Sequence, residues 1–319
     1  MKELVLRGLY PATVTPFADD NSVDTASLER HLDITFGSEG VQGICVNGHL
    51  GEILQLSSEE RADVAERAVR LKRDGQIVIA GVEGQRVADL VNDGLRAKEV
   101  GADALLVLPP VDVRPYRRLS RNSESVLYFF RELNEQVGLP MIIHQYPDFT
   151  QTAYSNEVLR ELVELEHVVA IKAASVSTTR YNEVWDEFRD DVSVLAATDA
   201  PALLGMLLHG GHGALIGIGA IEPSIWAKVI HEALDGDART ASDIFNKVCL
   251  PLIETVFDNQ EPTGPVSEAG ATKEALVQLG QLTSSRVRPP AVGVDDELRA
   301  RIGETLRRAG LLEPADVAV

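Results

Sequence analysis

The chain has 319 residues, of which 45% are hydrophobic and 25% are charged, and its formal net charge is −19. This composition supplies a sizeable core for one or two domains and argues against intrinsic disorder. The strong acidity argues against nucleic acid or an anionic membrane as a partner, because both bind basic surfaces.

The two cysteines and the lengths of the apolar runs indicate in which cellular compartment the protein is expected. Cys45 and Cys249 lie far apart and belong to no group with metal-ligand spacing, which is typical of reduced thiols in the cytoplasm. Residues 1–17 lack the apolar core of a signal peptide, and no apolar run approaches the roughly 20 residues of a membrane span. We therefore expect a cytoplasmic protein that has no membrane partner and no metal.

Short apolar runs recur along the first three quarters of the chain. Most are rich in Val, Ile and Leu and poor in charge, as in parallel strands that are covered on both faces. They occupy residues 9–14, 43–48, 76–82, 104–109, 140–146, 168–173, 192–198 and 213–219.

Amphipathic stretches separate and follow these runs. One of them opens with Ser57 and Glu60 at capping-box spacing. Eight strands, each followed by a helix, predict a (β/α)8 barrel over residues 1–235. An open doubly wound sheet is the alternative, but no G-x-G-x-x-G motif follows the first strand.

The alternation stops near residue 235, and the remaining segments read as helices separated by prolines. We interpret residues 236–319 as a helical extension that packs on the barrel. The connection after the fourth strand carries Arg114, Arg117, Arg118 and Arg121. In a barrel it would lie at the carboxyl ends of the strands, where active sites are built, although it could equally be a solvated surface loop.

Lys172 lies inside an apolar run that reads as the sixth strand. Lysine is rarely buried without a partner or a task, and an apolar setting lowers its pKa and makes the amine nucleophilic toward a carbonyl. The structural alternative is a lysine at a strand end that extends its ammonium group into water.

Other polar residues fall at neighbouring strand ends. His144 and Tyr146 end the fifth strand and share a face by alternation. The second strand ends in Gly48-His49-Leu50-Gly51, where the glycines permit a tight turn whose N–H groups could hold a carboxylate. An enzyme that forms an imine needs such a set: an amine, a proton shuttle and donors for the substrate carboxylate.

These segments resemble the dihydrodipicolinate synthase / N-acetylneuraminate lyase family of class I, lysine-dependent aldolases. The similarity runs from GLYPATVTPF (8–17) through AIKAAS (170–175) to VRPP (287–290). The resemblance implies a barrel with a helical extension, commonly a homotetramer, although a dimer is also possible. It further implies that Lys172 forms an imine with pyruvate or a related 2-oxo acid, with no separate cofactor.

The chain also departs from the family pattern. His49 and Leu50 stand in place of paired threonines, and His144 stands in place of the catalytic tyrosine. Phe149 falls where dihydrodipicolinate synthases carry a carboxylate-binding arginine, and Pro110 and Val111 replace a tyrosine pair. These departures predict a divergent member that is not a true dihydrodipicolinate synthase.

The main hypothesis is an aldolase in which Lys172 is catalytic and residues 48–51 bind substrate. His144 and Tyr146 both remain candidates for the proton shuttle. A dehydratase of a sugar-derived 2-oxo acid would use the same imine, and a barrel that only binds a ligand is the alternative from another class. His209 and His212 lack carboxylate or cysteine partners in the sequence and are interpreted as part of a turn into the eighth strand.

Overall fold

A computed structural model describes residues 4–110, 122–147, 150, 152–257 and 267–313. The arginine-rich connection 111–121 and Phe149 lie outside the described residues. Within these residues the strands number eight: β1 (Gly8–Pro11), β2 (Gly43–Val46), β3 (Ile77–Val82), β4 (Ala104–Val107), β5 (Met141–Gln145), β6 (Val168–Ala173), β7 (Ser193–Ala196) and β8 (Gly213–Ile216).

A helix follows each strand and covers the outside of the sheet. These helices are α1 (Thr25–Gly37), α2 (Ser58–Leu71), α3 (Val87–Glu99), α4 (Ser123–Gln136), α5 (Asn156–Val163), α6 (Thr178–Phe188), α7 (Leu203–His209) and α8 (Pro223–Leu234). The capping box that the sequence predicts at α2 is present, because Ser57 Oγ accepts from the Glu60 N–H at 3.2 Å and Glu60 Oε2 accepts from the Ser57 N–H at 2.9 Å.

The strands form a nearly closed ring. Parallel neighbours pair in the order β1-β8-β7-β6-β5-β4-β3-β2. Between β1 and β2, parallel bridges join Leu9 to Val41 and Ala12 to Cys45, and the Thr13 N–H donates to the Cys45 carbonyl at 2.9 Å. The predicted (β/α)8 barrel is therefore confirmed, and the open doubly wound sheet is wrong.

Several strands are shorter than the apolar runs that predicted them. The run 43–48 leaves the sheet at Val46, and the run 192–198 leaves it at Ala196. Asn47 has a left-handed φ of 55°, which ends the pairing of β2 and starts a turn. The carboxyl ends of such runs build the loops at the mouth of the barrel, where polar groups converge.

The extension contains α9 (Ala238–Ile244), α10 (Leu250–Val256), α11 (Glu268–Gln278) and α12 (Asp296–Arg308). A π-helical segment, Phe245–Cys249, joins α9 to α10. Buried side chains of these helices, such as Leu276 and Ile302, belong to the same hydrophobic core as the barrel. The boundary at 235/236 stays a prediction. No helix in the described ranges is long and apolar enough to cross a bilayer.

His31 provides a test of how the extension packs on the barrel. It is fully buried on α1 beside Gln281, and burial lowers its pKa from 6.5 to about 4. Between pH 6.5 and pH 4 the unfolded chain therefore binds a proton at His31 that the folded chain does not bind. The contribution of neutral, buried His31 to the unfolding free energy is thus complete above pH 6.5 and is lost as the pH falls toward 4. The loss of unfolding free energy should reach about 3 kcal/mol.

Urea denaturation of the wild type, His31→Leu and His31→Gln between pH 7.5 and pH 4 measures this loss. Both variants should flatten the decline in unfolding free energy relative to wild type, whereas His231→Gln, at an exposed histidine of α8, should not. Parallel pH curves for wild type and both His31 variants would contradict the prediction.

Candidate active site

Lys172 lies near the carboxyl end of β6, and its relative exposure is only 7%. Strand pairing sets it directly beside His144 of β5. Burial lowers the pKa of its ammonium group, and the nearby acidic groups of Cys45, Asp199 and Glu268 oppose that shift. Burial prevails, so the amine is more often neutral than that of an exposed lysine.

His144 and Tyr146 lie on one face of the chain, as the alternation predicts. Their rings stack with centroids 4.3 Å apart and planes inclined by 20°. Burial, and then the positive charges of Lys172 and His49, hold the pKa of His144 well below 6.5. Its Nδ1 has no hydrogen-bond partner among the described residues. His144 is therefore a neutral imidazole with a free nitrogen beside the amine.

Tyr146 lies just beyond β5 and faces the mouth of the barrel. Burial raises the pKa of its phenol, and the carboxylates of Glu268 and Glu83 raise it further. The phenol consequently stays protonated near neutral pH and can donate a hydrogen bond. The structure places both candidate shuttles beside one another.

The turn after β2 brings Gly48, His49, Leu50 and Gly51 to the mouth. It is closed by the Glu52 N–H, which donates to the His49 carbonyl at 3.0 Å. Within the described ranges, the N–H groups of Leu50 and Gly51 donate to no acceptor, although both residues are buried. That these two N–H groups hold a carboxylate stays a prediction.

The sequence predicts that Gly48 and Gly51 are needed for the conformational freedom of a tight turn, but the structure gives a different reason. The left-handed residues of the turn are Asn47 and Glu52, each with φ of 55°, rather than Gly48 or Gly51. Gly51 is required by close approach instead, because a Cβ atom there would lie 3.1 Å from the Asn47 backbone nitrogen. At Gly48 a Cβ atom would make an ordinary contact with the Cys45 sulfur at 3.7 Å.

Asp199, after β7, is a site residue that sequence reasoning missed. Its Oδ1 accepts from the Ile218 N–H at 2.8 Å, and burial raises the pKa of its carboxyl group to about 7. A Cβ atom at Gly217 would lie 3.3 Å from Asp199 Oδ2 and from the Leu50 side chain. The signal was its position at the end of the seventh apolar run, where a barrel aims side chains at the site.

A cavity of about 370 Å³ opens at the mouth beside Tyr146. Its wall comprises the β2 turn, the end of β5 and the start of α11, and it is largely apolar. Besides Tyr146, its lining includes one histidine, His49, and three acidic residues, Glu52, Glu83 and Glu268. Lys172 does not line this cavity. Tyr146 lies between the cavity and His144, the strand neighbour of Lys172.

A second buried lysine joins the extension to the site. Lys273 of α11 is fully buried, binds the Glu52 carboxylate and donates to the Arg286 carbonyl at 2.9 Å. Its Nζ also lies 4.3 Å from the centroid of the Phe17 ring. Burial lowers its pKa to about 8 despite the Glu52 charge. Sequence reasoning missed it because a lysine in a helical pattern usually faces solvent.

His209 and His212 lie at the opposite end of the barrel. His212 Nδ1 accepts from the Val194 N–H at 3.0 Å, and its carbonyl accepts from Gly8 at 2.9 Å. These bonds support the interpretation of HGGHG as a turn into β8. No group of three or more metal-ligating side chains occurs in the part of the chain that the structure describes.

A parallel (β/α)8 barrel with a helical extension is an architecture of class I lyases and aldolases, and the comparisons with known proteins place the chain in that class. The chain belongs to the dihydrodipicolinate synthetase family, whose profile matches residues 5–309. The resemblance seen in the sequence is thereby confirmed.

Relatives match over nearly the full length. The 4-hydroxy-tetrahydrodipicolinate synthase of Phenylobacterium zucineum is 31% identical and aligns with 98% of this chain and 100% of its own. The enzyme of the same name from Methanosarcina mazei is 29% identical, with 97% and 100% covered. These low identities are consistent with a divergent member.

Solved structures show the same fold. Dihydrodipicolinate synthase from Aquifex aeolicus superposes with a TM-score of 0.85 at 27% identity, covering 97% of this chain and 100% of that one. The enzyme from Acinetobacter baumannii, complexed with pyruvate, superposes with a TM-score of 0.84 at 25% identity, covering 96% and 99%.

Proposed function

We propose that the protein is a lysine-dependent aldolase that joins or separates an aldehyde and pyruvate or a related 2-oxo acid. The observation that carries this proposal is the buried Lys172, whose lowered pKa makes a neutral amine available at the carboxyl end of the barrel. Such an amine attacks a keto carbon and forms an imine without a separate cofactor.

The neighbours of Lys172 support the steps of imine formation. The Nζ lone pair attacks the keto carbon, and the resulting carbinolamine must lose water. The stacked pair of His144 and Tyr146 supplies the proton that the departing hydroxyl needs, since one ring is a neutral imidazole and the other a protonated phenol.

The β2 turn supports binding of the 2-oxo acid. Its carboxylate would accept hydrogen bonds from the N–H groups of Leu50 and Gly51, which would orient the keto carbon toward Lys172. Gly48 completes the wall of this subsite, whereas the His49 side chain lines the cavity and would bind substrate there.

The related dihydrodipicolinate synthase from Acinetobacter baumannii is complexed with pyruvate in its solved structure, which supports a small 2-oxo acid as substrate. We extend the proposal to a small-molecule 2-oxo acid as substrate, a homotetramer or dimer as the assembly, and the cytoplasm as the location.

Borohydride trapping tests the proposal. Wild-type protein is incubated with pyruvate, 2-oxobutyrate or 2-oxoglutarate and then reduced with borohydride. The mass of the intact chain is measured by mass spectrometry. We expect a stable adduct of one reduced acid per chain with at least one of them, and none when either the acid or the borohydride is omitted.

No adduct with any acid would contradict the aldolase and favour a barrel that only binds a ligand. Product analysis separates the remaining alternatives. Pyruvate and an aldehyde identify an aldolase, whereas a dehydrated acid of unchanged carbon number would identify a dehydratase.

A further inference from the structure

A histidine and a carboxylate meet across the mouth of the barrel. His49 Nε2 lies 3.6 Å from Glu268 Oε2. His49 belongs to the β2 turn, and Glu268 is the first residue of α11 in the extension. The His49 side chain is 61% exposed, so it is accessible to a ligand in the cavity.

The surrounding structure holds this pair in place. The Ser267 hydroxyl caps α11 by accepting from the Gly270 N–H at 3.1 Å, which fixes the helix start beside Glu268. Lys273, on the same helix, binds Glu52 at the other end of the β2 turn. The turn and the helix are thus joined at two points, which favours a built contact over an incidental surface pair.

The pair also faces the reacting groups. Both residues line the 370 Å³ cavity beside Tyr146, whose wall is otherwise largely apolar. The charge of Glu268 acts on Lys172 and Tyr146, and the charge of His49 acts on His144. A second substrate in this cavity would therefore lie between Tyr146 and His49.

We propose that His49 is the catalytic acid–base for the aldehyde oxygen and that Glu268 is its positioning residue. In the bond-forming direction the enamine carbon attacks the aldehyde carbon. The carbonyl π pair moves to oxygen, which takes the proton from the His49 imidazolium, while the enamine nitrogen becomes an iminium.

In the reverse direction neutral His49 accepts the hydroxyl proton as the carbon–carbon bond breaks. The electron pair of that bond moves toward the iminium and regenerates the enamine. Glu268 orients the His49 ring through the 3.6 Å contact between His49 Nε2 and Glu268 Oε2. This inference rests on the proposed function, because it assigns a role within the aldol step.

Three measurements on the whole protein separate the steps. Borohydride trapping with pyruvate reports the imine, and exchange of the pyruvate methyl protons in D2O, followed by NMR, reports the enamine. Carbon–carbon bond formation is measured with pyruvate and glycolaldehyde, glyceraldehyde or benzaldehyde. These aldehydes are uncharged and suit a wall that carries several carboxylates.

We expect His49→Gln and Glu268→Gln to keep trapping and exchange within about twofold of wild type. Their kcat for bond formation should fall by about 100-fold or more, with KM for pyruvate unchanged. Glu268→Asp should recover part of the lost kcat, which a merely structural role of the side chain would not predict.

Matched controls come from the same chain. The other histidine–carboxylate contact among the described residues joins His209 and Asp186 at 3.5 Å, at the far end of the barrel. Glu297, like Glu268, lies in the first turn of an extension helix. His209→Gln and Glu297→Gln should leave all three rates unchanged.

Equal loss of all three rates in the His49 and Glu268 variants, or no loss of bond formation, would overturn the assignment. A wild type that exchanges protons but joins none of the aldehydes would overturn it as well. Absence of trapping in the wild type would instead refute the proposed function, so the two failures are distinguishable.

Discussion

Lys172→Met is expected to abolish borohydride trapping of 2-oxo acids and to lower turnover by about four orders of magnitude or more, the scale seen when a covalent nucleophile is removed. Methionine retains much of the side-chain volume in the apolar β6 and removes a charge that burial disfavours. The variant should therefore fold, with a Tm equal to or above that of the wild type.

Intact mass after reduction, turnover and thermal denaturation check this expectation together. Lys228→Met, at an exposed lysine of α8, serves as the control and should keep both the adduct and the rate. A retained adduct in Lys172→Met would show that another amine forms the imine. Peptide mapping would then test Lys273, the other buried lysine described here.

Lys273→Met is expected to lower the unfolding free energy by about 3–5 kcal/mol, more than any other single substitution proposed for this chain. It would leave the Glu52 carboxylate buried without its cation, and an unpaired buried charge is strongly destabilising. Burial already raises the pKa of Glu52 while Lys273 is present. The β2 turn should loosen, because Glu52 ends it.

Urea denaturation at pH 7.5 measures this loss. Lys72→Met removes a lysine from the partly exposed pair with Asp103 and should cost about 1 kcal/mol or less. The double variant Glu52→Gln/Lys273→Met should be more stable than Lys273→Met, since it removes the stranded charge. Equal losses in the Lys273 and Lys72 variants would contradict the role of burial.

Local patterns predicted the features that depend on neighbours along the chain. Each strand of the barrel coincides with an apolar run, because a parallel strand covered on both faces needs apolar residues throughout. Alternation placed His144 and Tyr146 on one face, and their stacked rings confirm it. Lys172 stood out because its residue type conflicts with its surroundings.

Strand ends were less predictable. The apolar run 192–198 predicts a strand throughout, yet β7 ends at Ala196, and Asp199 follows in the loop at the mouth of the barrel. Hydropathy does not distinguish a residue that pairs in the sheet from one that is buried in a loop above it.

The sequence by itself determined the barrel, the helical extension, the family and the position of the buried lysine, because periodicity and residue type act over short stretches. Only the tertiary structure decided that Glu268 meets His49 and that Lys273, 221 residues away in sequence, binds Glu52. Those contacts depend on where α11 packs against the β2 turn. That placement is set by the packing of the whole core, which no local pattern encodes.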